Sequence, residues 1–142
     1  MKELLARIAA EVLAVIQAFS MSFSKPAYSR EDVELLAEVI YHENWHTDPE
    51  HLAAYYTGAV VMNRVHSDDW PDTIKGVVYQ KGQYAVTKKL FTVELPAEVY
   101  EMAEKILKNG TPDVPENIIF QATFRQGSGT WKKVNTDYFC YE

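Results

Sequence analysis

Apolar residues recur at helical spacing through much of the chain, and the first clear helix follows Ser29. The Ser29 hydroxyl and Asp32, three residues later, form a capping-box signal for a helix start. The apolar positions behind this cap follow the i, i+3, i+4, i+7 pattern of one buried helix face. They are Val33, Leu36, Ala37 and Ile40. We therefore expect a helix that packs one face on a core.

Three further helices are indicated by start and stop signals. Asp48-Pro49-Glu50 predicts a helix start with Pro49 in the first turn, where its missing N–H costs nothing. Asp72 or Thr73 predicts the cap of a short helix that ends near Tyr79. Another helix is expected from Pro96 to Asn109-Gly110, because glycine favours a helix C-terminus. These signals predict a domain in which helices dominate.

Beyond Pro115 the apolar pattern becomes typical of strands. Residues 118–124 and 131–141 are rich in β-branched and aromatic side chains, and Gln126-Gly127-Ser128-Gly129 lies between them. Two such runs around a glycine-rich turn predict a hairpin. The expected fold class is therefore α+β, predominantly helical, with a small C-terminal β-hairpin or sheet.

Residues 1–24 are predicted to form a segment of their own, separate from a domain at residues 25–142. Apolar residues at helical spacing favour an amphipathic helix that packs on the domain. They are Leu4, Ile8, Val12, Val15, Ile16 and Phe19. A weak signal-like segment is the alternative, since Lys2 and Arg7 precede an apolar run, although Glu3 and Glu11 interrupt the charge pattern. Residues 22–28, with Pro26, are expected to be a linker.

Composition excludes several classes of partner and site. The net charge of −6 argues against binding nucleic acid or an anionic membrane. No apolar stretch is long enough for a membrane-spanning helix, so no stable membrane insertion is expected. The lone Cys140 allows neither an intrachain disulfide nor a cysteine-based zinc site. A chain of 142 residues fits one domain, and a monomer is favoured.

Glu43 is the candidate catalytic residue. It follows Ile40 by three positions and Leu36 by seven, so it lies on the buried face of its helix. Burial disfavours the charged form and raises a carboxyl pKa. A glutamic acid that stays protonated near neutral pH can donate a proton to a leaving-group oxygen. A structural salt bridge from Glu43 to Arg64 or Lys75 is the alternative.

The segment from His42 to His46 also matches H-E-x-x-H, the motif of zinc peptidases. The third ligand would come from His66, Asp68, Asp69 or Asp72. Against this, a helix advances about 100° per residue, so an inward Glu43 turns His42 and His46 away by about 100° and 60°. Asp48-Pro49 also ends the helix soon after His46. A zinc metallopeptidase therefore remains an alternative.

Four blocks resemble the SleB/CwlJ-like cell wall hydrolases, the family that includes spore-cortex-lytic enzymes. Residues 35–43, LLAEVIYHE, resemble the family's LLAxxIYxE, and residues 58–65, GAVVMNRV, resemble AVAxVxLNRV. Residues 70–80, WPDTIKGVVYQ, are similar to FPxTIxxVVYQ, and Gly82-Gln83-Tyr84 to xGQF. The blocks keep the family's order over roughly residues 31 to 141.

The resemblance implies a lysozyme-like fold that cleaves peptidoglycan glycan strands between N-acetylmuramic acid and N-acetylglucosamine. Glu43 would be the acid/base of a lytic transglycosylase or a muramidase, with no cofactor and no metal. A lytic transglycosylase needs one glutamate, whereas ordinary glycosidases use two carboxylates. The site of action would be the bacterial cell wall, outside the cytoplasm, in a bacterial or phage setting.

The resemblance also suggests substrate contacts, and it has departures. The candidate substrate-binding residues are Asn63, Gln83, Tyr84, Phe120, Gln121 and Thr123; Asn63 could alternatively hold Glu43 or satisfy the core. The family's second glutamate, four positions after the first, is Thr47 in this chain. A wall-binding module that has lost catalysis is therefore a further alternative.

Overall fold

Five α-helices, a 3₁₀ helix and a three-stranded antiparallel sheet make up the described chain. The structure is a computed structural model that describes residues 1–22 and 27–142, with side-chain surroundings for residues 1–16 and 27–142. The helices are α1 (Lys2–Ser22), α2 (Arg30–Asn44), α3 (Leu52–His66), α4 (Ile74–Val78), a 3₁₀ helix (Ala85–Lys88) and α5 (Ala97–Asn109). The strands are β1 (Ile118–Ala122), β2 (Gly129–Val134) and β3 (Asp137–Tyr141). The predicted α+β, predominantly helical class is confirmed.

Helices α2, α3 and α5 pack around one apolar core. Leu36, Ile40 and Ile106 are almost wholly buried there. Gly58 lets the helices approach closely: a Cβ at this position would lie 2.5 Å from Ile106 Cδ1 and 3.1 Å from Ile40 Cδ1. Close packing of this kind fixes α2 against α3, and the two helices carry the residues described below.

Several predicted helix ends are confirmed. Ser29 and Asp32 form a complete capping box at the start of α2. The Thr73 hydroxyl accepts a hydrogen bond from the Gly76 amide at the start of α4. Helix α5 ends at Asn109, and Gly110 takes a left-handed φ of 69°, a conformation that costs glycine little.

The predicted start of α3 is wrong by a few residues. Pro49 lies in the turn before the helix, which begins at Leu52, and His51 has a left-handed φ of 54°. The Asp48 carboxylate reaches forward and accepts hydrogen bonds from the Leu52 and Ala53 amides. These two amides have no partner within the helix, so Asp48 satisfies them from outside it.

The predicted hairpin is also misplaced. Residues 131–141 hold parts of two strands, and the tight turn lies at residues 135–136 between β2 and β3. The strand order is β1-β3-β2, so β1 pairs with β3 rather than with β2. The glycine-rich segment therefore passes the end of the central strand β3 and connects the two outer strands, β1 and β2. Gly127 is required there, because a Cβ would lie 1.8 Å from the Tyr141 carbonyl oxygen.

Helix α1 forms, but the packing on the domain that was expected is not seen at residues 1–16; its side chains at residues 17–22 lie outside the described residues. Residues 1–16 are exposed, including Leu4, Leu5 and Val15, each more than 60% exposed. No helix among residues 1–22 and 27–142 is both long and apolar enough to cross a membrane. The predicted linker falls largely on residues 23–26, which lie outside the described residues. The division of the chain at residue 24 stays a prediction.

Candidate active site

Glu43 is the penultimate residue of α2 and is half-buried. Burial, reinforced by the negative charge of Asp137, raises its pKa from 4.5 to about 7, although Arg64 and Lys89 act in the opposite direction. A carboxyl with this pKa exchanges its proton near neutral pH. Its surroundings therefore suit a group that first donates and then accepts a proton.

The helix end that carries Glu43 is anchored by its neighbour Asn44. The buried Asn44 amide donates to the Thr57 hydroxyl of α3 at 2.9 Å, and Thr57 donates to the Ala53 carbonyl at 2.9 Å. The Thr47 hydroxyl donates to the other side of the Asn44 amide at 2.8 Å. This chain of hydrogen bonds fixes the last turn of α2 relative to α3.

Arg64 brings a buried positive charge from α3 towards Glu43. Only 3% of Arg64 is exposed, and its Nε donates to the Ile119 carbonyl at 2.7 Å. The guanidinium carbon lies 4.2 Å from the ring centroid of Trp70 and 5.4 Å from that of Tyr84. Burial lowers the pKa of Arg64, while Tyr84 and Glu43 oppose this shift. Arg64 is thus fixed on three sides.

The salt bridge considered for Glu43 is not observed. Between described residues, the contacts within 4.0 Å that join an acidic to a basic side chain are Arg30–Glu34 and His42–Glu38. Arg64 acts on Glu43 electrostatically, but neither residue pairs with the other at that distance. The Glu43 carboxyl is therefore not held in a structural ion pair.

Tyr84 belongs to the same cluster as Glu43 and Arg64. Its side chain is buried, and its hydroxyl has no hydrogen-bond partner among the described residues. Burial raises the pKa of Tyr84 to about 12; Arg64 opposes this shift and Glu43 adds to it. The phenol therefore stays protonated and can donate a hydrogen bond. Gln83, by contrast, is exposed on the preceding turn.

The predicted substrate-binding residues on and just after β1 differ in their surroundings. Gln121 lies on β1 opposite Phe139, and its buried Oε1 has no hydrogen-bond partner among the described residues. Phe120 is half-buried and lies edge-on to Trp70, with ring centroids 6.5 Å apart. Thr123 is exposed beyond the end of β1. Phe120 and Gln121 thus follow Ile119, whose carbonyl accepts the hydrogen bond from Arg64, and their side chains lie on opposite faces of β1.

One expectation was that Asn63 holds Glu43 by a hydrogen bond, but the Asn63 amide has other partners. Its amide donates to the Pro115 and Ile118 carbonyls, both at 2.9 Å. An asparagine amide has two hydrogens to donate, and both are used to tie α3 to the start of β1. This contact places β1 where Ile119 can accept from Arg64.

Besides Arg64, which was considered only as an ion-pair partner, three residues of the cluster were not among the predicted site residues. Asp137 lies at the start of β3, Lys89 follows the 3₁₀ helix, and Trp70 precedes α4. Trp70 was visible in the sequence as the first residue of a family-like block. Nothing in the pattern of the chain distinguished Asp137 or Lys89 from surface charges.

The two histidines of the H-E-x-x-H motif have separate surroundings. His42 Nε2 lies 3.2 Å from Glu38 Oε2, but outside hydrogen-bond geometry. Glu38 is buried and accepts from the Phe91 amide at 2.9 Å. His46 is exposed and lies edge-on to Tyr41. In the described ranges no three His, Cys, Asp or Glu residues are grouped so as to hold a metal ion.

Comparison with known proteins shows the family of the chain and a solved structure with the same fold. The family described as Cell Wall Hydrolase matches residues 50–139. Two spore cortex-lytic enzymes of Bacillus cereus are 28% identical over 86 residues, which is 61% of this chain and 30% of theirs. The chain thus matches less than a third of the length of these relatives. The catalytic domain of the Bacillus cereus SleB protein shares the fold, with a TM-score of 0.65 at 18% identity, over 82% of this chain and 94% of that domain.

Proposed function

Because the chain belongs to the cell wall hydrolase family, we propose that it cleaves the glycan strands of peptidoglycan with Glu43 as the general acid and base. The observation that carries this proposal is the half-buried Glu43, whose pKa lies at about 7. The family match begins at residue 50, so the role of Glu43 is argued from its surroundings and from the sequence resemblance around it.

In the first step Glu43 donates its proton to the glycosidic oxygen. The bond from the anomeric carbon to that oxygen then breaks, the leaving sugar departs with a hydroxyl group, and positive charge develops on the remaining sugar. Near neutral pH, a pKa of about 7 keeps a large fraction of Glu43 in the acid form that this step needs.

In the second step the Glu43 carboxylate accepts a proton. In a lytic transglycosylase the proton comes from the 6-hydroxyl of the same sugar, whose oxygen bonds to the anomeric carbon and forms a 1,6-anhydro product. In a muramidase it comes from water. We favour the first route because it needs one carboxylate, and we expect no cofactor in either.

Two polar groups support substrate binding: Tyr84 beside Glu43, and Gln121 on β1. The Tyr84 hydroxyl is a buried donor and the Gln121 Oε1 a buried acceptor, and neither has a hydrogen-bond partner among the described residues. We propose that these two contact the sugar, with Phe120, Thr123 and Gln83 nearer the rim. Asn63 is left out, because its amide is used within the fold. Since peptidoglycan lies outside the cytoplasmic membrane, the enzyme would act there.

The test is the substitution Glu43→Gln, which removes the proton and keeps the shape. We expect the release of soluble fragments from purified peptidoglycan to fall by about 100-fold or more. Glu101→Gln, an exposed change on α5, is the matched control and should keep full activity. Circular dichroism should show that both variants are folded.

Mass spectrometry of the products then separates the two routes, since a 1,6-anhydro product is one water lighter than the hydrolysed one. Near-full activity in Glu43→Gln would reject the assignment. Activity lost on chelation and restored by zinc would support the metallopeptidase instead. A wild-type chain that binds walls and releases nothing would be a binding module.

A further inference from the structure

Arg64 is a buried cation that no carboxylate neutralises at close range. It is 3% exposed, and no Asp or Glu oxygen in the described ranges lies within 4.0 Å of its guanidinium. Buried charges are normally paired, because burial without a partner is costly. An unpaired buried arginine next to a candidate catalytic carboxyl therefore calls for a functional explanation.

The charge is held in a fixed place by uncharged groups. The Ile119 carbonyl accepts from Nε at 2.7 Å, and the rings of Trp70 and Tyr84 lie 4.2 Å and 5.4 Å from the guanidinium carbon. Such contacts orient a guanidinium but leave its charge in place, whereas a carboxylate would neutralise that charge. The field of Arg64 therefore remains available to its charged neighbour, Glu43.

Four groups act on the Glu43 carboxyl or lie beside it, each from a different part of the fold. Arg64 on α3 and Lys89 after the 3₁₀ helix favour the anion, whereas Asp137 on β3 favours the acid. Tyr84 interacts electrostatically with both Arg64 and Glu43. Lys89 is exposed and its field is screened by water, so Arg64 is the cation whose effect on Glu43 is sheltered.

We propose that Arg64 is a positioning residue for Glu43: its fixed guanidinium supplies the positive charge that lets the Glu43 carboxyl release its proton to the glycosidic oxygen and then persist as the anion that accepts the second proton. This inference rests on the proposed function of Glu43. Burial and Asp137 hold the proton on Glu43, and Arg64 stabilises the carboxylate left when it departs. A carboxyl in the same place without this cation would be a weaker acid.

Arg64→Gln tests the proposal by removing the charge and keeping a donor for the Ile119 carbonyl. Because the first step needs protonated Glu43, kcat/KM falls as pH rises through the Glu43 pKa. Without Arg64 that pKa rises, and the fall should move up by about one pH unit. We expect kcat at pH 6 to drop about threefold, because a weaker acid donates more slowly, with KM changed less.

Matched variants separate charge from shape. Arg64→Lys keeps the charge on a shorter, unstacked stem, and its pH profile should lie between those of the wild type and Arg64→Gln. Arg30→Gln, an exposed arginine at the start of α2, should leave the profile unchanged. If Arg64→Gln loses activity while the fall in kcat/KM stays at the wild-type pH, Arg64 has only a structural role and the proposal is overturned.

A second measurement does not depend on activity. Titration of ¹³C-labelled glutamate carboxyl groups by NMR, with Glu43→Gln used to assign the signal, reports the Glu43 pKa directly. It should rise in Arg64→Gln whether or not the chain cleaves peptidoglycan, so failure of the proposed function is distinguishable from failure of this inference. Should Arg64→Gln not fold, the same titration in Arg64→Met, which also removes the charge, decides, and an unmoved Glu43 signal there would overturn the proposal.

Discussion

Glu43 lies between two sets of influences that act on its proton in opposite directions. Burial and Asp137 raise its pKa, while Arg64 and Lys89 lower it. A pKa of about 7 is therefore a balance, and removal of any one of these charges should displace it in a direction fixed by the sign of the charge. This balance suits a single residue that must serve as acid and then as base.

Asp137→Asn should make Glu43 a stronger acid. Removal of a negative charge lowers the Glu43 pKa, so the alkaline fall in kcat/KM should begin at lower pH than in the wild type. Below about pH 5.5 most of Glu43 is protonated in both proteins, and activity there should be close to normal. The measurement is kcat/KM for peptidoglycan cleavage from pH 4.5 to 9.

The same variant distinguishes the two glycosidase mechanisms. If Asp137 were the second carboxylate of an ordinary glycosidase, its loss would reduce activity by about 100-fold or more at every pH. That result, together with hydrolysed rather than anhydro products, would contradict the mechanism with one glutamate. Glu142→Gln, an exposed change just after β3, serves as the control for removing a negative charge.

The sequence predicted the position of Glu43 but not its charged neighbours. Its inward orientation followed from helical spacing after Leu36 and Ile40, and the structure leaves it half-buried. Asp137 and Lys89 approach Glu43 through the packing of β3 and of the segment after the 3₁₀ helix, which no local pattern encodes. Arg64 was expected as an ion-pair partner. The Arg64 charge lies near Glu43, but the stacking of Arg64 on Trp70 was not predicted.

The start of α3 depends on one side chain outside the helix. Asp48→Ala should destabilise the fold, because the Leu52 and Ala53 amides lose their acceptors at 2.8 Å and 3.1 Å. Loss of a capping side chain costs about 1–2 kcal/mol of unfolding free energy. Urea unfolding followed by circular dichroism measures it. Asp48→Asn keeps one acceptor and should lose less; equal stability of Asp48→Ala and the wild type would contradict this role.

Helices were easier to predict than the sheet. Capping residues such as Ser29, Thr73 and Gly110 act within one turn of chain, so their signals are local. The order β1-β3-β2 depends on which strand packs on α3, and both antiparallel arrangements show the same alternation of side chains. The tight turn at Asn135-Thr136 was missed because no glycine marks it, although Asn135 takes a left-handed φ of 51°.

The charges around Glu43 come together only in the folded domain. Glu43, Arg64 and Asp137 belong to α2, α3 and β3. Helix α2 packs on α3, and Phe139 of β3 packs on Tyr56 of α3. Helix α1 contributes none of these groups, and its side chains at residues 1–16 are exposed. The proposed catalytic unit, residues 25–142, should therefore be independent of this segment.

Deletion of residues 1–24 tests that independence. Because the described side chains of α1 bury little apolar surface, we expect the free energy of unfolding of the remaining chain to change by less than about 1 kcal/mol, or about 3 °C in Tm. Differential scanning calorimetry measures the Tm, and peptidoglycan cleavage should be retained. Extending the deletion to residue 33 removes the Ser29 cap and the first turn of α2, and should lower the Tm clearly. If removal of residues 1–24 alone had that larger effect, α1 would be part of the folded unit rather than an appendage to it.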